Sequence, residues 1–296
     1  MAQHVDRIVS APDGRRLAVA EWGDPNGRPL IALHGTPGSR LAHWRDPAVY
    51  SRFGVRRITY DRAGYGGSSR HAGRKVADVV GDVAAIADAL EIGRFAVTGG
   101  SGGGPHALAC AALLGDRVER CLAAVCPAPP EAEGLDWFAG MTRGNVDEFT
   151  LARAGEAAIR PKLEAERTAM LERVRAGRVD FLGDDYQVSD SDMAQISKDL
   201  AIFSEVFEDG LRDGVDGWVD DDIAFARPWG FDPATIKVAV SVWYGREDTL
   251  VPAAHGDWLV AHVPGAEPVV GSSGHMGTDE DVELQLAWLT GQDPAR

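Results

Sequence analysis

At 296 residues, with 45% apolar and 25% charged side chains, the chain has the make-up of an ordinary globular protein. That length buries a large core, in one big domain with an insertion or in two domains. A formal charge of −15 repels nucleic-acid phosphates, and no run approaches the ~18–20 consecutive apolar residues of a membrane span, so neither a nucleic-acid partner nor a membrane span is expected.

Three cysteines, Cys110, Cys121 and Cys126, form no disulfide framework and no metal-ligand spacing, and their apolar surroundings predict buried free thiols. Residues 1–7 lack the basic and then apolar pattern of a secretory leader, which predicts a cytoplasmic protein. There is no G-x-x-x-x-G-K and no H-E-x-x-H, so neither a cofactor nor a metal is expected.

In chain order, Val5–Ser10 and residues 15–22 read as a hairpin, because Ala11-Pro12-Asp13-Gly14 is a turn signal between two β-rich runs. Residues 29–33 form a short apolar run of the type buried in parallel sheets. Residues 39–53 read as a helix, 57–60 as a strand and 76–90 as an alanine-rich helix. A strand at 94–98, a small-residue helix at 106–114 and a strand at 118–126 follow. An antiparallel pair leading into alternating strands and helices predicts an α/β fold, with a mostly parallel sheet and helices on both faces.

After Pro127-Ala128-Pro129-Pro130 the pattern changes. Up to about Pro233 it is charged and helical, with amphipathic candidates at 155–176 and 193–207. The acidic stretch 213–222 does not match a calcium loop and reads as a solvated turn. The α/β rhythm resumes with a strand at 236–244, a helix at 252–262, a strand at 267–270 and a closing helix at 278–289. The expected organisation is a core of residues 1–129 and 234–296 with an inserted helical cap at 130–233.

The most informative residues are Gly99-Gly100-Ser101-Gly102-Gly103-Gly104-Pro105, between a strand and a helix. A serine in G-x-S-x-G at such a turn is the setting of a nucleophile elbow. The same stretch contains Gly102-Gly103-Gly104-Pro105-His106-Ala107, a match to a dinucleotide-binding turn. That alternative requires an acid at the end of the next strand, where Val125-Cys126-Pro127 stands instead.

A serine hydroxyl needs a base, and the base needs an orienting group. Loops at the carboxyl ends of strands supply such groups in open α/β sheets. Asp248 stands in the loop after 236–244, where it either meets an imidazole or caps the following helix; Glu247 is the adjacent acid. His275 lies in Gly271-Ser272-Ser273-Gly274-His275-Met276-Gly277, after the last strand. The chain order Ser101, Asp248, His275 is that of hydrolases built on this elbow. The N–H of Gly102 and, from the early loop, that of Thr36 are the expected oxyanion donors. His34, directly at a strand end, reads as a structural histidine that shapes that loop.

Five segments carry a family resemblance: His34-Gly35-Thr36-Pro37-Gly38, Asp61-Arg62-Ala63-Gly64-Tyr65-Gly66-Gly67-Ser68, the elbow, Gly245-Arg246-Glu247-Asp248 and Gly274-His275. With these the chain resembles α/β-hydrolase-fold proteins that carry a cap domain. The resemblance implies a serine hydrolase forming an acyl-Ser101 intermediate on a small-molecule ester or amide, with a carboxylesterase as the first expectation. It implies an architectural role for residues 61–68.

Haloalkane dehalogenases and epoxide hydrolases are similar but place aspartate where Ser101 stands. Proline iminopeptidases resemble the chain in early loop and helical cap, and hold the substrate amine with cap acids. The insertion offers Glu156, Glu164, Glu166, Glu205 and Glu208, whose spacing singles out none and which read as surface residues. Cofactor-free haloperoxidases and C–C bond hydrolases share the triad, and a binding protein with slow turnover is a further alternative. Trp137, Met141, Trp218 and Trp229 are the candidate pocket residues of the insertion, the alternative for most of them being that they fasten it to the core. Oligomeric state is not readable.

Overall fold

The computed structural model describes residues 4–292, so the leader reading lies partly outside the described residues. β1 (Val5–Ser10) and β2 (Arg16–Gly23) form the antiparallel hairpin, in register from Val5 opposite Glu21 to Ser10 opposite Arg16. β2 pairs antiparallel with β4 (Val55–Tyr60), and β3 (Arg28–Leu33) lies between β4 and β5 (Phe95–Gly100). β6 (Val118–Ala124), β7 (Ala239–Gly245) and β8 (Glu267–Gly271) extend the parallel part. The sheet order is β1-β2-β4-β3-β5-β6-β7-β8, the mostly parallel α/β sheet expected.

The central parallel strands are mainly apolar where both faces are covered, as in Leu30–Leu33 of β3 and Phe95–Val97 of β5, whereas the edge strand β8 is largely exposed. In β5, Phe95 and Val97 enter one core cluster while Ala96, between them, enters the other, as the period of two requires. α2 (Val79–Ala89), α3 (Gly103–Leu113) and α8 (Ala253–His262) contribute to the first cluster. α1 (Ala48–Arg52) and α9 (Asp279–Thr290) contribute to the second.

The helix expected at 39–53 is confined to α1. Pro47 at its N-cap has no N–H and cannot sit inside a longer helix. Upstream, tertiary partners hold the chain: Arg40 N–H donates to Asp61 at 2.6 Å, and Arg45 pairs with Asp199 at 2.6 Å and with Asp279 at 3.1 Å.

Between β6 and β7 lie four helices: α4 (Arg143–Ala154), α5 (Glu156–Arg175), α6 (Asp190–Gly210) and α7 (Asp216–Phe225). α5 and α6 answer the two predicted amphipathic segments. α4 begins at Thr142, whose hydroxyl accepts the Asn145 N–H, a local signal the periodicity masked. α7 overturns the reading of 213–222 as a solvated turn, because Asp220, Asp221 and Asp222 are all buried. For Asp220 and Asp221 solvent is replaced by arginines remote in sequence: Arg70 pairs with Asp220 at 2.8 Å, and Arg62 and Arg74 pair with Asp221 at 2.5 and 2.9 Å. No helix among the described residues is long and apolar enough to cross a membrane.

Candidate active site

β5 ends at Gly100 and α3 begins at Gly103, so Ser101 and Gly102 make the whole turn. Ser101 sits at φ +52°, where a Cβ costs about 1–3 kcal/mol. Two backbone bonds hold it there: its N–H donates to Ala124 O at 2.9 Å, and Gly104 N–H donates to its carbonyl at 2.8 Å. A Cβ on Gly103 would overlap the Leu33 carbonyl, so only glycine lets α3 start this close to the end of β3. The first turn of α3 lies next to the serine, with its free N–H groups and positive dipole end.

The other two candidates meet at the carboxyl ends of β7 and β8. His275 Nδ1 lies 2.8 Å from Asp248 Oδ2, and both residues are buried. Asp248 Oδ1 also accepts the N–H groups of Leu250 and Val251, each at 2.9 Å. The two readings of Asp248 thus coexist: one oxygen shapes the turn before α8 and the other orients the imidazole. Burial pushes His275 down, but the Asp248 charge and hydrogen bond, with Asp192, outweigh it and hold the imidazole above its ordinary value. Ser101 and His275 share no hydrogen bond in this structure, a contact that commonly tightens only with substrate bound.

The early loop is fixed from below. His34 accepts the Arg62 N–H at Nε2 (3.1 Å), while its Nδ1 lies 2.7 Å from Gly35 O, so it shapes this loop. Thr36 donates its hydroxyl to Asp221 Oδ2 at 2.7 Å. Tyr65 donates to the same oxygen at 3.0 Å, and His106 Nε2 of the elbow helix lies 3.3 Å from Asp221 Oδ1. Burial pushes His106 down to about 4, which leaves it neutral. The N–H groups of Thr36 and Gly102 make no backbone hydrogen bond among the described residues.

Thr36, Ser101 and Gly102 open onto a cavity of about 340 Å³ whose far wall comes from α4, α5, α7 and residues 181–186 between α5 and α6. Met141 and Trp218 line it. Trp137 and Trp229 do not. Trp137 donates to Ala128 O at 2.9 Å and packs edge-on against Phe149 and His255, pinning the start of the helical segment. Trp229 is buried in the first core cluster and stacks on Phe231.

Carboxylates crowd the cavity. Glu148 accepts Trp218 Nε1–H at 2.8 Å and the Tyr186 hydroxyl at 2.6 Å; Tyr186 also lies 3.0 Å from Glu166, which pairs with Lys162 at 2.6 Å. Asp222, 1% exposed, keeps Oδ2 without a hydrogen-bond partner. Burial, reinforced by Glu148, pushes its carboxyl well above the usual range.

A family model described as the alpha/beta hydrolase fold matches residues 28–282. The chain belongs to the α/β-hydrolase fold family. Among solved structures, the enol-lactonase of Burkholderia xenovorans LB400 superimposes with a TM-score of 0.69 at 23% identity, over 96% of this chain and 98% of that one. An esterase from Exiguobacterium antarcticum does so with a TM-score of 0.63 at 19% identity, over 97% and 98%. A proline iminopeptidase of Xylella fastidiosa is 36% identical over 111 residues, 35% of this chain and 34% of that relative. The chain thus spans about a third of the length of the curated relative it matches.

In this α/β hydrolase the residues that sequence reasoning missed are among the buried acids of the helical segment, notably Glu148, Asp192, Asp221 and Asp222. Most of their contacts come from other elements: Arg62 and Arg74 reach Asp221, Trp218 and Tyr186 reach Glu148, and the Met276 N–H reaches Asp192, which also accepts the nearby Ser189 hydroxyl. Glu166, read as a surface residue, lines the cavity.

Proposed function

We propose that this α/β hydrolase is a serine hydrolase that cleaves an ester- or amide-type carbonyl through an acyl-Ser101 intermediate, acting as a carboxylesterase. The observation that carries the reading is the 2.8 Å Asp248–His275 pair at the ends of β7 and β8, with Ser101 strained at the end of β5. With Nδ1–H donated to Asp248, the imidazole keeps Nε2 free to take the Ser101 proton. Ser101 Oγ attacks the carbonyl, and the Thr36 and Gly102 N–H groups hold the oxyanion. Imidazolium protonates the leaving group; water, deprotonated by His275, then releases the acyl group. Residues 130–233 act as the cap that encloses a small-molecule substrate, and the scheme uses no cofactor.

A fluorophosphonate tests this without knowledge of the substrate. It is expected to attach to Ser101, as located by mass spectrometry of the peptide. A protein that takes no label there is a binding module and not a serine hydrolase.

A second reading, an aminopeptidase-like hydrolase, is favoured by the unpartnered Oδ2 of Asp222 beside Glu148 on the cavity wall. A buried acid lacking a partner costs stability, and a substrate ammonium group meets that need. Under this reading alanine- or proline-β-naphthylamide is hydrolysed, and Asp222→Asn raises its KM by about 10- to 100-fold, as loss of a charged hydrogen bond predicts. The KM of p-nitrophenyl acetate, which carries no amine, changes less. Failure to cleave either naphthylamide leaves the simple ester reading.

A further inference from the structure

Both loops of the Asp248–His275 pair are tied to the helical segment. In the Asp248 loop, Thr249 O accepts the Thr142 N–H at 2.9 Å and Leu250 O accepts the Asn145 side-chain N–H at 2.7 Å. Thr249 also donates its hydroxyl to Gln187 O at 2.6 Å. The His275 loop is held by one residue of α6. Asp192 Oδ1 accepts the Met276 N–H at 2.6 Å, and Oδ2 accepts the Ser189 hydroxyl at 2.9 Å. A Cβ on Gly274 would overlap Asp192 Oδ2, so glycine is needed for the carboxylate to come this close to the residue preceding the base.

Asp192 is fully buried (0% exposed) and pairs with no lysine, arginine or histidine among the described residues. A buried carboxylate without a cation is costly unless something near it becomes positive. The group that does so during acyl transfer is His275. The carboxylates whose charge acts on His275 are Asp248, from the loop after β7, and Asp192, from α6; Asp192 touches the residues on either side of His275. Asp281, in the first turn of α9 after that loop, is taken up by the Thr278 N–H and hydroxyl, each at 2.8 Å.

We propose that Asp192 is a positioning residue for His275: its hydrogen bond to the Met276 N–H sets the height of the base, and its charge favours the imidazolium formed when Ser101 loses its proton. The proposal rests on the reading of His275 as the base. The upward displacement of His275, to which Asp192 contributes, agrees with it. The helical segment is then part of the catalytic apparatus as well as a cover.

The test is the rate at which a fluorophosphonate labels Ser101 in the full chain, followed against pH alongside the melting temperature. Asp192→Asn keeps an oxygen for the Met276 N–H and removes the charge. It is expected to fold, to label about 10-fold more slowly at the plateau, and to shift the acid limb to lower pH, because loss of a nearby negative charge disfavours the imidazolium. Asp192→Ala removes the hydrogen bond too and is expected to slow labelling by about 10²-fold, the scale of a misplaced catalytic group. If the alanine variant does not fold, the asparagine variant decides alone. A wild-type rate and pH profile for Asp192→Asn overturns the proposal and leaves Asp192 a structural link between α6 and the loop. Absence of Ser101 labelling in the wild type instead removes the underlying hydrolase reading.

Discussion

Ser101→Ala is expected to lower kcat on p-nitrophenyl acetate by on the order of 10⁴–10⁶-fold, the cost of removing the nucleophile from a serine triad. The fold should survive, because Ser101 is held by its backbone, through Ala124 O and Gly104 N–H. Ser101→Gly should be equally inactive yet more stable. At φ +52° the Cβ costs about 1–3 kcal/mol, whereas glycine costs about 0.5–1 kcal/mol in chain entropy. Strain release wins by about 1 kcal/mol, measurable as a higher urea midpoint at unchanged slope. Wild-type turnover by the alanine variant would sink the assignment of the nucleophile. A glycine variant less stable than wild type would remove the claim of strain.

Asp221→Ala is expected to cost about 3–5 kcal/mol of stability, since breaking a buried ion pair from one side leaves the other charge uncompensated. Here two guanidiniums, Arg62 and Arg74, lose their carboxylate, and Thr36 and Tyr65 lose an acceptor. The pH dependence has a definite sign. Burial pushes Asp221 up, but Arg62 and Arg74, with His106, overcome it and hold the carboxyl well below the usual range. Its contribution is therefore fully present above the unfolded value of about 3.9 and is lost only as pH falls through the depressed folded value. The gap between wild type and Asp221→Ala in urea unfolding should persist unchanged from pH 7 to pH 5. A gap below about 1 kcal/mol would mean that the arginines find other partners and that α7 is not anchored here. Since Thr36 hangs from the same carboxylate, turnover by the surviving folded fraction should also fall.

These two residues mark opposite ends of what was readable. Ser101 announces itself through its glycines, because a strained turn between a buried strand and a helix demands them locally. Asp248 and His275 were found by the same logic, each in a loop after an apolar strand. Asp221 lies in the stretch that reads as a solvated turn, and nothing near it in sequence says otherwise. Its cations stand about 150 positions earlier, at Arg62 and Arg74, so the run of acids is buried by a pairing that only the fold brings about. The pocket shows the same division. Met141 and Trp218 reach the cavity while Trp137 and Trp229 do not, although an aromatic side chain reads alike in either place.

Taken by itself, the sequence determined the α/β class, the strand-by-strand rhythm and the chemical identity of the three candidate catalytic side chains. Period, turn chemistry and chain order are local properties, and glycine, proline and apolar runs write them directly into the text. Only the tertiary structure decided that 39–47 is pulled out of helix by arginine pairs, that α7 is a buried acidic helix, that Glu148 and Asp222 face the cavity, and that Asp192 touches the loop of the base. Burial of charge depends on partners from distant elements, and the free energy of such a pair is set by a distance that no window of sequence contains.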